Sequence, residues 1–245
     1  MSLGMKKMTN LSATVSRTLA FLLCALLWGG NAWAATAATV THLSGTLVVM
    51  KPDGSSRILS VKSDVESGDT LSTEKDTFAR IKFTDGGETV LRPNTILKLD
   101  SYAYNQDKPK EDGFFSSLLK GGARFVSGLI GKRGNRDAYA VKASTATIGI
   151  RGTEYVVLVC AGNCPAGMKD GAYTLVFEGS VSVHNEFGEV SCGAGQFCFT
   201  PPDGAPIMLL EVPPGVDFST PSSFLDQISG DTVLDTQGHK ECVIH

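Results

Sequence analysis

The sequence predicts an all-β chain, and three observations carry that expectation. Short runs rich in Val, Ile, Thr, Phe and Tyr recur between turns built on Gly, Pro, Asn and Asp, the composition of strands and their connections. Residues 77–83 alternate, with Ala79, Ile81 and Phe83 on one face and Phe78, Arg80 and Lys82 on the other, as a half-buried strand does. Helical periodicity is almost absent between residues 40 and 200. Gly45, Gly68, Gly122, Gly179 and Gly195 fall near strand starts, which suits closely stacked coils, yet they lack the fixed spacing of a repeat array. An elongated β-sandwich, a β-roll and a short solenoid-like domain all fit this pattern.

In chain order, residues 40–50 form a β-rich run interrupted by Gly45. Pro52-Asp53-Gly54 turns it, proline presetting φ and glycine accepting a positive value. Residues 57–62, the turn Ser67-Gly68-Asp69, the strand 77–83 and the hairpin turn Asp85-Gly86-Gly87 follow. Residues 88–91 and Pro93-Asn94 then lead to Ile96, Leu97 and Leu99. Residues 100–113 are the most polar insertion and are expected to form a mobile loop. Residues 114–119 read equally as a strand or a short helix, ended by Gly121-Gly122. Residues 124–126 begin another extended piece, and a glycine-punctuated loop over 128–136 precedes the strand 139–141.

Past the centre of the chain, residues 154–160 and 172–177 are expected to neighbour each other, and 180–185, 189–192 and 196–200 to finish the sheet. Pro201, Pro202, Pro206, Pro213, Pro214 and Pro221 then change the character of the chain. They predict an extended surface tail, with 207–210 as an edge segment and 222–228 as a short capped helix. The expected organisation is a leader at 1–34, a β domain at 40–200 and an extended C-terminal tail at 201–245.

The leader reads as a secretory signal peptide. Lys6, Lys7 and Arg17 precede an apolar stretch over 19–28, and Ala32-Trp33-Ala34 fits a small-residue cleavage site. The apolar run is broken by Gly29, Gly30 and Asn31 and is shorter than the roughly 20 residues of a spanning helix. Cleavage near Ala34 and a periplasmic or secreted mature chain without a transmembrane segment are therefore expected. Losing those basic residues makes the formal charge, -3 for the whole chain, more negative by three. An acidic exported chain lacks the phosphate-neutralising charge of a nucleic-acid binder, which excludes that class of partner.

Cys160, Cys164, Cys192, Cys198 and Cys242 lie beyond the leader, and in an oxidising compartment cysteines pair. Cys160 with Cys164 and Cys192 with Cys198 is the expected arrangement, since each pair brackets a short Gly-containing turn. Swapped pairing stays open, and Cys242 is left over. Neither spacing matches the tight ligand pairs of common zinc sites, so no metal or cofactor is expected.

The chain is organised around residues 144–155, Ser-Thr-Ala-Thr-Ile-Gly-Ile-Arg-Gly-Thr-Glu-Tyr. This reads as strand, sharp turn, strand, a structural bend with Gly149 and Gly152 where a side chain would obstruct the tight turn or a neighbouring strand. Arg151 and Glu154 are expected to staple that bend to each other, with ligand binding as the alternative. Other motifs accompany it in order: Gly68-Asp69-Thr70-Leu71-Ser72-Thr73, Asp85-Gly86-Gly87, Leu91-Arg92-Pro93-Asn94-Thr95, Leu119-Lys120-Gly121-Gly122, and Val-Phe-Glu-Gly-Ser-Val-Ser-Val at 176–183. The ordered set resembles the FecR-like periplasmic domain, a family named for the ferric-citrate transport regulator, over residues 40–200.

The resemblance implies a FecR-type β domain that receives a signal in the periplasm, where an outer-membrane transporter acts through an anti-sigma regulator. That regulator carries a cytoplasmic sigma-binding portion and a membrane helix ahead of the module. Here a cleavable leader stands in that place, so a stand-alone sensing, signalling, scaffold or assembly role is expected, with an envelope protein or envelope glycan as partner.

Catalytic constellations are hard to assemble from these residues. His42, His184, His239 and His245 are the histidines, and no Gly-x-Ser-x-Gly elbow supplies a nucleophile. The loop 128–136 lacks the order of a phosphate-binding loop. Asp53, Asp69, Asp85 and Asp112 each sit beside a turn glycine, where turn chemistry accounts for them. The expectation is a protein that is not an enzyme, although two of these carboxylates converging as a glycosidase pair stays open. Lys120, Arg124, Lys132, Arg133 and Arg136, with Tyr102 and Tyr104 nearby in sequence, form a candidate contact surface. They motivate the alternative of a carbohydrate-binding or surface-adhesive module using segment 102–136.

Overall fold

The structure, a computed structural model, describes residues 36–133, 137–162, 164, 167–225, 233–234 and 240–241, within the unit Ala35–His245. The leader, Arg136, His239, Cys242 and His245 lie outside the described residues. The strands are β1 (Thr36–Ser44), β2 (Leu47–Met50), β3 (Ser56–Leu59), β4 (Asp64–Glu66), β5 (Thr70–Thr73), β6 (Phe78–Phe83), β7 (Glu88–Leu91) and β8 (Ile96–Ala103). They continue as β9 (Gly113–Val126), β10 (Tyr139–Ala143), β11 (Ala146–Cys160), β12 (Gly171–Asn185), β13 (Gly188–Gly193), β14 (Phe197–Thr200) and β15 (Ile207–Leu209). All of these belong to one 15-stranded sheet, and a separate two-stranded pair joins β16 (Val233–Leu234) to β17 (Lys240–Glu241).

The pairing decides between the architectures that the sequence left open. β9, β11 and β12 are 14, 15 and 15 residues long, and each gives one half to each of two layers. The first layer runs β3-β2-β5-β8, the first half of β9, β10, the first half of β11, the second half of β12, and β13. The second runs β4-β1-β6-β7, the second halves of β9 and β11, the first half of β12, β14 and β15. The long strands bend near Gly121, Gly152 and Gly179, whose φ values are +79°, +59° and +76°. The result is an all-β roll: one sheet folded over on itself.

The inner faces close on a single core. Leu47, Leu71, Leu97, Leu118, Val141 and Ile148 of the first layer share one buried cluster with Val40, Ile81, Leu91, Phe125, Tyr155 and Val157 of the second. These are the alternate residues of their strands, so the period of two places them inside. Residues 114–119 are strand, part of β9. The expected mobile loop at 100–113 is more ordered than its polarity suggests. β8 runs on to Ala103, a single 3-10 turn occupies Pro109–Glu111, and the Asp112 carboxylate accepts the Asn105 N–H at 2.9 Å.

In the tail, β15 pairs with β14 as the edge of the second layer. Ser222–Phe224 is a 3-10 turn where a longer capped helix was expected, and residues 226–228 lie outside the described residues. Cys160 is joined to Cys164 and Cys192 to Cys198.

Candidate functional site

The central bend is held differently from the expectation. β11 runs through it as one strand, with register shifts on both sides of Glu154. Arg151 follows Thr147 and Gly149 on the outer face of the first layer and is exposed. Beyond the bulge, Glu154 lies on the outer face of the second layer, where its Oε1 accepts from Nε of Arg124 at 2.7 Å and also from Nη2 of Arg124. The expected Arg151–Glu154 staple is therefore replaced by an Arg124–Glu154 pair, because the bend carries the two residues into different layers. Thr153 does the stapling: its N–H donates to Ser127 Oγ at 2.8 Å and its hydroxyl to the Ser180 carbonyl at 2.9 Å.

The motif turns are likewise fastened by their own polar residues. Asp85 accepts the Gly87 N–H on Oδ1 at 3.0 Å and the Ile130 N–H on Oδ2 at 3.2 Å, which docks the loop after β9 onto the Asp85-Gly86-Gly87 turn. Asp69 accepts the Glu66 N–H at 2.9 Å and the Lys51 ammonium at 3.0 Å. Asp53 accepts the Ser55 N–H at 2.8 Å. Thr95 exchanges bonds with Gly122, taking its N–H at 3.0 Å and donating to its carbonyl at 2.9 Å. Each turn aspartate is thus bound to a backbone N–H, the role turn chemistry assigns it. Asp85→Ala is expected to cost about 2 kcal/mol, the desolvation of orphaned buried donors, and to quicken hydrogen exchange at Ile130 while leaving β11 protected. Unchanged exchange at Ile130 would show that the loop docks by other means.

Several members of the expected aromatic and basic surface are engaged within the fold. Arg124 is buried, paired with Glu154 and seated over the Phe177 ring at 4.3 Å. Arg133 turns inward: it donates to the carbonyls of Gln106 and Asn105 at 3.1 Å each, meets Asp112 at 3.4 Å and lies 5.1 Å from the Tyr104 ring centroid. Tyr102 packs on Phe83 and Phe114, and its hydroxyl oxygen meets Thr84 Oγ1 at 2.8 Å and accepts the Asp85 N–H at 2.9 Å. Arg133 and both tyrosines are spent on holding the polar insertion and the hairpin turn. Lys120 and Lys132 are exposed, and Arg136 lies outside the described residues. His184 is exposed on β12. Ligand-type atoms of Cys160, Cys164 and Asp170 lie within 4.8 Å of one another, but the two sulfurs are bonded to each other and offer no thiolate.

The surface that stands out is the outer face of the second layer. Val156, Leu158, Tyr173 and Phe199 form a second buried cluster there, packed against Met168, Phe177, Leu209, Val216 and Phe218. The same face buries two ion pairs, Arg124–Glu154 and Arg80–Glu88, the latter at 2.6 Å with side chains 3% and 8% exposed. A sheet face carrying these groups needs a cover, and residues 213–225 supply one for the apolar part. Phe218 meets Phe197 at 5.8 Å between ring centroids, and Phe224 meets Phe78 at 5.6 Å and His42 at 6.4 Å. Between them Arg92 reaches from the end of β7, donating to the Ser219 carbonyl and meeting Asp217 at 3.4 Å. In the sequence Arg92 stands between a strand and Pro93 within Leu91-Arg92-Pro93-Asn94-Thr95, a setting that by itself assigns the side chain no role.

Burial works against ionisation of Asp217, but the backbone N–H and hydroxyl of Ser219, at 2.8 and 3.0 Å, and then Arg92 outweigh it. The carboxyl is held below the 3.8 of an ordinary aspartate. A depressed folded value means that the contact stabilises in full above that pH and is lost as pH falls through the lower value. Asp217 is expected to titrate below 3.8 by carboxyl chemical shift, and Arg92→Ala to raise the midpoint. An unmoved midpoint would detach Asp217 from Arg92.

The fold and these contacts define a β-roll module whose motif residues hold its turns and whose second layer bears a strap-covered apolar face. Residues 69–182 match the model of the FecR protein family, so the chain carries a FecR domain. Among solved structures, it is similar to two crystal structures of a candidate anti-sigma factor from Parabacteroides distasonis ATCC 8503. One is 14% identical with a TM-score of 0.45, the other 13% identical with a TM-score of 0.44; each likeness covers 57% of this chain and 58% of the other. A cell surface anchoring domain is 26% identical over 25% of this chain and 82% of its own, with a TM-score of 0.25. No curated protein matches this chain. Among the described residues, no helix is long and apolar enough to cross a membrane.

Proposed function

We propose that this FecR-domain protein is an exported, non-enzymatic module that acts by contact with another envelope protein, in sensing, signalling or scaffolding. The observation that carries the reading is the family match over residues 69–182. Two others support it. The turn aspartates are engaged in backbone hydrogen bonds, which leaves them poorly placed for acid–base chemistry. The basic and aromatic groups of segment 102–136 point inward at Arg124, Arg133 and Tyr102, which weakens an adhesive role for that segment.

Export is supported by the leader-like residues 1–34 and by the two disulfides, which persist in oxidising compartments. The test is crosslinking of the native protein in intact cells followed by mass spectrometry of what is attached. Repeated capture of one envelope protein is the expected result; capture of glycan fragments alone would overturn the reading.

A further inference from the structure

Residues 213–225 lie on the outer face of the second layer much as a bound peptide would. Val216, Phe218 and Thr220 are half-buried and Phe224 is buried, while Asp217, Ser219 and Pro221 are exposed, the alternation of an extended ligand laid on a surface. The backbone bonds that the segment makes among the described residues are local: Val216 N–H to Pro213, Phe224 N–H to Pro221 and Leu225 N–H to Ser222. None of the described residues 213–225 belongs to a strand of the sheet. By contrast β14, the neighbouring strand, is laddered to β12 from Phe197 to Thr200.

What holds the strap is side-chain insertion above Val156, Leu158, Tyr173 and Phe199, together with Arg92. A buried Thr220 Oγ1 lacks a hydrogen-bond partner, so the fit is imperfect. A segment held in this way opens more readily than one woven into a ladder.

We propose that this face is a binding site for an extended segment of a partner protein carrying an acidic residue between two apolar ones, and that residues 213–225 occupy it in the unpartnered chain. The chemistry of the ligand is read from the occupant. The apolar floor takes alternate side chains, as it takes Val216 and Phe218, and the guanidinium of Arg92 takes the intervening carboxylate and a backbone carbonyl, as it takes Asp217 and Ser219. Because the strap is part of the chain, its effective concentration at the face is high. A partner's apparent affinity is lowered by the fraction of molecules in which the strap is closed. The inference rests on the reading of the protein as a contact module and names the place and kind of contact.

The probe is a labelled synthetic peptide with the sequence of residues 213–225, added to the full chain and followed by fluorescence anisotropy. Phe218→Ser, which loosens the strap, is expected to bind the peptide about tenfold more tightly than the unaltered chain. Arg92→Ala in the same background should remove the gain, as should a peptide with lysine in place of the aspartate. Equal binding by folded Phe218→Ser and the unaltered chain overturns the proposal.

Should Phe218→Ser fail to fold, the full chain carrying a protease site at the exposed Glu211 and Val212 decides the matter once folded and nicked. Exchange of the nicked strap for the free labelled peptide supports a removable occupant, and a strap that stays in place overturns it. Peptide exchange without any envelope partner in the cellular crosslinks sinks the functional reading alone. A captured partner without peptide exchange sinks this inference alone.

Discussion

Arg124→Ala is expected to lower the stability of the protein by about 3–4 kcal/mol, the cost of leaving one member of a buried ion pair without its partner. For a domain of this size that is a fall of roughly 10 °C in the thermal midpoint. The side chains of Arg124 and Glu154 are 8% and 13% exposed, so solvent screens the orphaned carboxylate poorly. Lost packing on Phe177 adds to the loss. Arg124→Met with Glu154→Leu should be less harmful than either single truncation, since the double change leaves no unpaired charge. Arg151→Ala, by contrast, should fall within about 0.5 kcal/mol of the unaltered protein, as exposed side chains without structural partners usually do. Thermal denaturation of these variants, with the single changes Arg124→Met and Glu154→Leu, checks the set, and an Arg151 loss as large as that of Arg124 would restore the staple that the structure replaces.

Gly179→Ala carries the second large effect, about 3 kcal/mol. At φ +76° an L side chain costs about 1–2 kcal/mol. The added Cβ would lie 2.5 Å from the Gly152 carbonyl oxygen, an overlap with backbone that costs about 1–3 kcal/mol more. Gly149 is the contrast. Its nearest neighbour to a new Cβ is 4.0 Å away and its φ lies outside the left-handed region, so Gly149→Ala should be neutral or stabilising by up to about 1 kcal/mol. Gly152→Ala falls between, with φ +59° but open space to 3.5 Å. Urea midpoints at constant m-value distinguish the three. A Gly149 loss greater than that of Gly179 would contradict the packing of the bend.

How much of this was legible beforehand differs by level. Strand positions were, because alternation such as Ala79, Ile81 and Phe83 reports which face is buried regardless of neighbours. The choice of a folded roll was not, because it depends on β9, β11 and β12 each changing layer halfway, and a bend in a strand leaves no periodic signature beyond a glycine. The candidate site was legible only as a set of residue types. Proximity in sequence suggested that Arg151 meets Glu154, yet a bulge between them alters which face each occupies. Long-range partners such as Arg92 with Asp217, 125 residues apart, have no local trace at all. The polarity of residues 100–113 suggested mobility, whereas Arg133 from a distant loop restrains it.

Sharing strands between layers has a consequence for how the molecule comes apart. Neither layer is a separable half: removing β12 would strip rungs from β11 in both, and from β13 and β14 as well. Loss of structure in one layer therefore propagates through covalent continuity into the other, and the roll should melt as a single cooperative unit. The same sharing delays its formation, since β9 takes partners both from β7 and β8 before it and from β10 and β11 after it. A topology this non-local belongs among the slower folders, and the chain would spend that interval unfolded, its apolar strands dependent on protection.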